Sequence, residues 1–74
     1  MKIIILLNQD DTSDFNLALA FHGRYENVLA GITEVAADLD PDELSSVIYH
    51  LYHDGQDSDY SDIANYRFVL QVLL

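Results

Sequence analysis

The chain has 74 residues, half of them hydrophobic, and sets three Lys and Arg against thirteen Asp and Glu for a formal net charge of −10. A chain this short buries only about 60% of its unfolded surface, which leaves room for one modest core and argues against a deep active site. Its apolar content, with five Tyr and three Phe, is too rich for a disordered acidic tail. With no Cys, disulfides, thiolate zinc sites and thiol catalysis are excluded, which fits a reducing compartment.

The first stretch, Ile3-Ile4-Ile5-Leu6-Leu7, is a continuous apolar run too short for a helix, a signal-peptide core or a membrane span. It reads as a central strand buried on both faces, and the expected location is the cytoplasm. Phe15 to His22 alternates large apolar with small or polar residues, a period of two that puts Phe15, Leu17, Leu19 and Phe21 on one face of a strand ending at Gly23. The same stretch is rich in Ala and Leu, with Thr12 or Ser13 before it, so a capped helix is the rival reading.

Val28, Leu29, Ile32, Val35, Ala36 and Leu39 recur at three- and four-residue steps, the apolar stripe of a first helix, with Asn27 placed to cap it. Asp40-Pro41-Asp42-Glu43 then combines a capping Asp, Pro at the first helical position and Glu at the third, where its side chain is expected to reach back to the cap amide, and so marks the start of a second helix. Leu44, Val47, Ile48, Leu51 and Tyr52 form its apolar face, and Gly55 is expected in the left-handed conformation past its end. After a polar loop, residues 64–74 alternate again, with Tyr66, Phe68, Leu70, Val72 and Leu74 on one face of a last strand.

These elements predict a single α+β domain over 1–74 in the order ββααβ. Three strands form a sheet of order 2-1-3, the last parallel to the first, with both helices on one face. In this arrangement Ile4, Leu6, Val69 and Leu73 lie on the open face, more apolar than water requires, which suggests a homodimer or another covering partner.

All the carboxylates but Glu26 fall in three blocks. They are Asp10, Asp11 and Asp14; Glu34, Asp38, Asp40, Asp42 and Glu43; and Asp54, Asp57, Asp59 and Asp62. The topology brings the first two to one end of the domain. Glu34 and Asp38, four apart on a helix, repel mildly, and Asp38 faces the unfavourable end of the helix dipole, whereas Asp40, Asp42 and Glu43 face a favourable one. Capping therefore explains part of the block. The rest serves either solubility or recognition, because carboxylates one helical turn apart resemble successive phosphates and suit a basic groove that takes up polyanions. Such a surface repels nucleic acid itself.

A small, Cys-free, strongly acidic α/β-patterned chain resembles, in size and charge over its whole length, the phage-encoded inhibitors of bacterial defence, the anti-CRISPR and antirestriction proteins. No motif carries the resemblance. It implies a stoichiometric inhibitor in the host cytoplasm that blocks the nucleic-acid channel of a CRISPR effector or restriction complex; the acidic blocks themselves point to Glu34, Asp38, Asp40, Asp42 and Glu43, joined by Asp10, Asp11 and Asp14, as the binding surface. The alternative is an assembly or regulatory protein whose charge keeps it soluble.

Other motifs point less far. Asp57-Ser58-Asp59-Tyr60-Ser61-Asp62 suggests a calcium loop, but an EF-hand starting at Asp57 needs Gly where Asp62 stands and Glu where Phe68 stands. His50 and His53, three apart, can share a metal, with His22 as a third nitrogen, but no complete ligand set is legible. Tyr49 and Tyr52 beside them form a contact patch of the kind enriched at protein interfaces. No nucleophile-elbow or phosphate-loop glycines occur, so the expectation is a non-catalytic protein without cofactor or metal.

Overall fold

The computed structural model describes residues 1–9 and 15–74. Within them the chain forms strand β1 (Lys2–Gln9), strand β2 (Phe15–His22), helix α1 (Tyr25–Val35), helix α2 (Pro41–Asp54), strand β3 (Tyr60–Ile63) and strand β4 (Tyr66–Val72). The class is α+β. The sheet has four strands in the order β2-β1-β4-β3, and every neighbouring pair is antiparallel.

Residues 15–22 are thus a strand, paired with β1 from Ile3↔His22 to Gln9↔Phe15, and Gly23 ends it at φ +111°. The expectation of three strands with the last parallel to the first is overturned. The polar segment before the last strand contains β3, which turns back through Ala64 and Asn65 into β4. This added reversal makes β4 antiparallel to β1 while keeping it alongside (Lys2↔Val72 to Asn8↔Tyr66). Nothing in the sequence announced the turn: Asp-rich segments are poor strand formers, and Ala64 takes a positive φ of 52° where hairpins ordinarily place Gly or Asn.

Both helices lie on one face of the sheet. Their buried residues, Val28, Ile32, Ala36, Leu44, Ile48 and Leu51, close on Ile4 and Leu6 of β1 and Phe68 and Leu70 of β4. Most of these side chains are fully shielded from water, and burial of each Val, Leu, Ile or Phe among them stabilises the fold by about 1.5–3 kcal/mol against an exposed position. The expected parity of β1 is corrected here: Ile4 and Leu6 are 0% exposed beneath the helices. The open face carries Ile3, Ile5 and Leu7 instead, with Val69 as expected, because Ile4 and Leu6 pair with Leu70 and Phe68, the core residues of β4. A run apolar at every position gives no parity of its own.

The helix boundaries also shift. Asn27 lies inside α1, and the flanking Arg24 makes no side-chain capping bond. The helix ends at Val35, so Glu34 and Asp38 are not neighbours on a continuous helix as expected. At α2 half of the expected capping box is present: Asp40 Oδ2 accepts the Glu43 N–H at 2.9 Å, with Pro in the first turn, but the Glu43 side chain makes no return bond to the cap amide among the described residues. Gly55 is not left-handed but extended (φ −73°, ψ 157°), its N–H bonded to the Leu51 carbonyl. Its glycine is required by close approach, since a Cβ there would sit 2.4 Å from the Leu51 oxygen.

Candidate functional site: the acidic end and the aromatic end

β1 runs from one end of the molecule to the other, and the candidate residues divide between those ends. Asn8 pairs with Tyr66, and the Tyr66 hydroxyl donates to Asp38 Oδ1 at 2.7 Å. This bond fixes the α1–α2 corner, with Asp38 and the Asp40 cap, over the end of the sheet where β1 finishes. The first turn of α2 adds exposed Asp42 and Glu43, and the last turn of α1 adds exposed Glu34. Asp10, Asp11 and Asp14 lie outside the described residues. The residues that flank them, Gln9 and Phe15, are paired with each other at this same end.

Two of the five described carboxylates of this end have structural duties. Asp40 caps α2, and Asp38 accepts the tyrosine hydroxyl, which raises the Tyr66 pKa, first because the bond to the carboxylate holds the proton and then through burial. Glu34, Asp42 and Glu43 are exposed and make no side-chain hydrogen bond or ion pair among the described residues.

The third acidic block is used up locally. The Asp57 carboxylate accepts the Val72 N–H at 2.9 Å, Asp59 accepts the Gln56 N–H at 2.7 Å, and Asp54 lies 3.3 Å from His50 Nδ1. Arg67 grips Asp62 with two bonds of 2.7 and 2.9 Å. The bidentate bond from Arg67 holds the Asp62 carboxyl below the usual carboxylate range. These acids tie a loop and a hairpin rather than converge, and no group of three or more His, Asp or Glu gathers to hold a metal ion among the described residues.

The tyrosines expected as a contact patch sit at the opposite end, on the last turns of α2. Their rings cluster with Tyr25 and His53: Tyr49 stands 5.6 Å from Tyr25 and 4.4 Å from His53, and Tyr52 is 5.7 Å from Tyr25. Tyr52 is half-buried and structural. Its hydroxyl donates to the Gly23 carbonyl at 2.7 Å, its own carbonyl accepts Lys2 Nζ at 2.6 Å, and that ammonium lies 5.2 Å from its ring. Tyr49 is half exposed and is the one of the pair presented to solvent. His22 does not join His50 and His53: it pairs with Ile3 on the sheet face turned away from the helices.

Sequence reasoning missed Tyr25 and Tyr66, which organise these two ends; each is one residue within an amphipathic pattern, and only the partner across the fold distinguishes it. A shallow open groove of about 440 Å³ between α2 and the following segment is lined by His50, Leu51, Asp54, Gly55 and residues 58–61. It leaves the His50–Asp54 pair in water, with both side chains 70% exposed. No helix is long and apolar enough to cross a membrane among the described residues.

The geometry describes a small α+β protein whose α1–α2 corner holds exposed acids without a side-chain partner among the described residues, while the acids near Lys2 and Arg67 are engaged locally. In comparisons with known proteins, no family model, no curated protein and no solved structure matches this chain.

Proposed function

We propose that the chain is a non-catalytic binding protein whose acidic end imitates a nucleic-acid backbone and occupies a basic channel, as an inhibitor of a CRISPR effector or restriction complex would. The observation that carries the reading is the set of acids at the α1–α2 corner, Glu34, Asp42 and Glu43, that are exposed and have no side-chain partner among the described residues. The cations Lys2 and Arg24 and the amino terminus belong to the end where β1 starts, and Arg67 is bound to Asp62. Glu34, Asp42 and Glu43 therefore face solvent with no described cation beside them. A Lys- and Arg-lined groove gains affinity from such a surface by releasing counterions, as it does from DNA.

The test is capture of binding proteins from a bacterial lysate at about 50 mM and about 500 mM salt, a range over which exposed charge pairs become largely screened. Captured proteins are then assayed for DNA binding. Support is a partner released at high salt that loses DNA when this chain is added. The combined Glu34→Gln, Asp42→Asn and Glu43→Gln variant, which spares the capping and tyrosine-bound aspartates, is expected to weaken that partner about tenfold or more. A partner indifferent to salt, with its DNA binding intact, sinks the reading in favour of an assembly protein whose acidity serves solubility.

A further inference from the structure

We infer that the sheet face turned away from the helices is the interface of a homodimer, in which two copies stack face to face with their strands antiparallel. This goes beyond the reading above and does not depend on it.

The first support is the β1 sequence itself. A strand apolar at every position from Ile3 to Leu7 is the pattern of a sheet covered on both sides, yet α1 and α2 cover only the side of Ile4 and Leu6. The other side presents Ile3, Ile5 and Leu7 on β1 and Val69 on β4, the two central strands, with Ala20 and Tyr60 paired beside them. Large apolar residues at the centre and small or polar ones on the edge strands reproduce the apolar core and polar rim of a protein interface.

Charge selects the occupant. In a chain of net charge −10, the described strand residues of this face carry one acid, Asp62, bound to Arg67, and one further base, His22, at the β2 edge and counted neutral at pH 7. The guanidinium lies 4.3 Å from the Tyr60 ring. A basic partner finds no unpaired carboxylate there, whereas a second neutral apolar face fits without a desolvation penalty on unpaired charge. Two-fold stacking can align the strands of the copies parallel or antiparallel. The parallel arrangement brings both acidic ends together; the antiparallel one holds them at opposite ends of the strands and sets each beside the end of its partner where Lys2 starts β1.

The size is sufficient for a reversible dimer. Strands of four to eight residues spaced about 4.8 Å apart give roughly 450 Å² of face per copy. Two such faces approach the roughly 1,000 Å² at which weak specific interfaces begin.

Sedimentation velocity of the full chain at about 10 µM and about 1 mM, concentrations that bracket a weak dimer, tests the inference. The expected result is a shift toward twice the chain mass at the higher concentration, strengthened at high salt because screening relieves repulsion between acidic copies. That salt response is opposite in sign to the one expected for a basic partner, so the two proposals fail separately. Ile5→Lys is expected to weaken the dimer about 100-fold, since two-fold symmetry brings like charges together at its centre. If circular dichroism shows that this variant does not fold, Ile5→Thr keeps the β-branched shape and is expected to weaken it about tenfold. A single-chain mass at about 1 mM at both salts, or a dimer that folded Ile5 variants leave unchanged, overturns the inference.

Discussion

The acidic blocks at 34–43 and 54–62 have similar composition and opposite uses. Between Asp54 and Asp62 every carboxylate meets a partner within the chain: His50, the Val72 and Gln56 amides, and Arg67. Between Glu34 and Glu43 only Asp38 and Asp40 do so. The difference shows that acidity alone does not locate a binding surface. A carboxylate that holds a turn together is already satisfied, and what remains for a partner is the set that the fold leaves unpaired.

The strongest challenge to this contrast acts on the segment that brings the second block into place. Gly55→Ala sets a methyl group against the Leu51 carbonyl and is expected to cost about 3 kcal/mol, the upper range for overpacking, read as a lowered urea midpoint. Next in size, Asp40→Ala removes the α2 cap and is expected to cost about 1 kcal/mol. Asp57→Ala releases the exposed Val72 amide to water and is expected to cost about 0.5 kcal/mol, at the low end for a hydrogen bond. The combined variant of Glu34, Asp42 and Glu43 is expected to leave stability within about 0.5 kcal/mol of the parent, and a larger loss would place these residues with the structural acids.

The two blocks also answer differently to pH. The Asp62 pKa is lowered by Arg67, so this pair contributes fully above the unfolded carboxylate pKa and the contribution fades as pH falls through the lowered folded value. Both side chains are substantially exposed, so the effect is small. The Tyr66 pKa is raised by Asp38, so that bond contributes below the unfolded tyrosine pKa and is lost as pH rises through the raised folded value. Stability measured across the alkaline range is expected to lose this dependence in Tyr66→Phe, and the acid limb is expected to change in Asp62→Asn. A parent and a Tyr66→Phe variant with the same alkaline profile would break the assigned coupling between the α1–α2 corner and the sheet.

Much of this was legible before the fold was seen. Asp40-Pro41-Asp42-Glu43 located α2 to the residue, because a cap is a local bond between neighbours in sequence. The alternation over 64–74 gave the last strand, trimmed to Tyr66–Val72, and the stripe from Val28 to Leu39 gave α1, trimmed at Val35, since each periodicity records which side of an element meets the core. Asp57 and Asp59 looked like candidate calcium ligands in sequence; their amide partners are Val72 and the adjoining loop, one of them on another strand.

The sequence by itself determined the α+β class, the helix pair and the acidic blocks, all of which rest on patterns a few residues long, while for residues 15–22 it left strand and helix open until the pairing with β1 settled it. Only the tertiary structure decided the fourth strand, the antiparallel sense of β4 and the side of β1 that is buried. A four-residue strand such as β3 is held by its pairing with β4 rather than by its own propensity. A uniformly apolar strand such as Ile3–Leu7 takes its facing from the register of its neighbours, Phe21 and Leu70 against Ile4, because its own side chains offer the core equally good surfaces in either orientation.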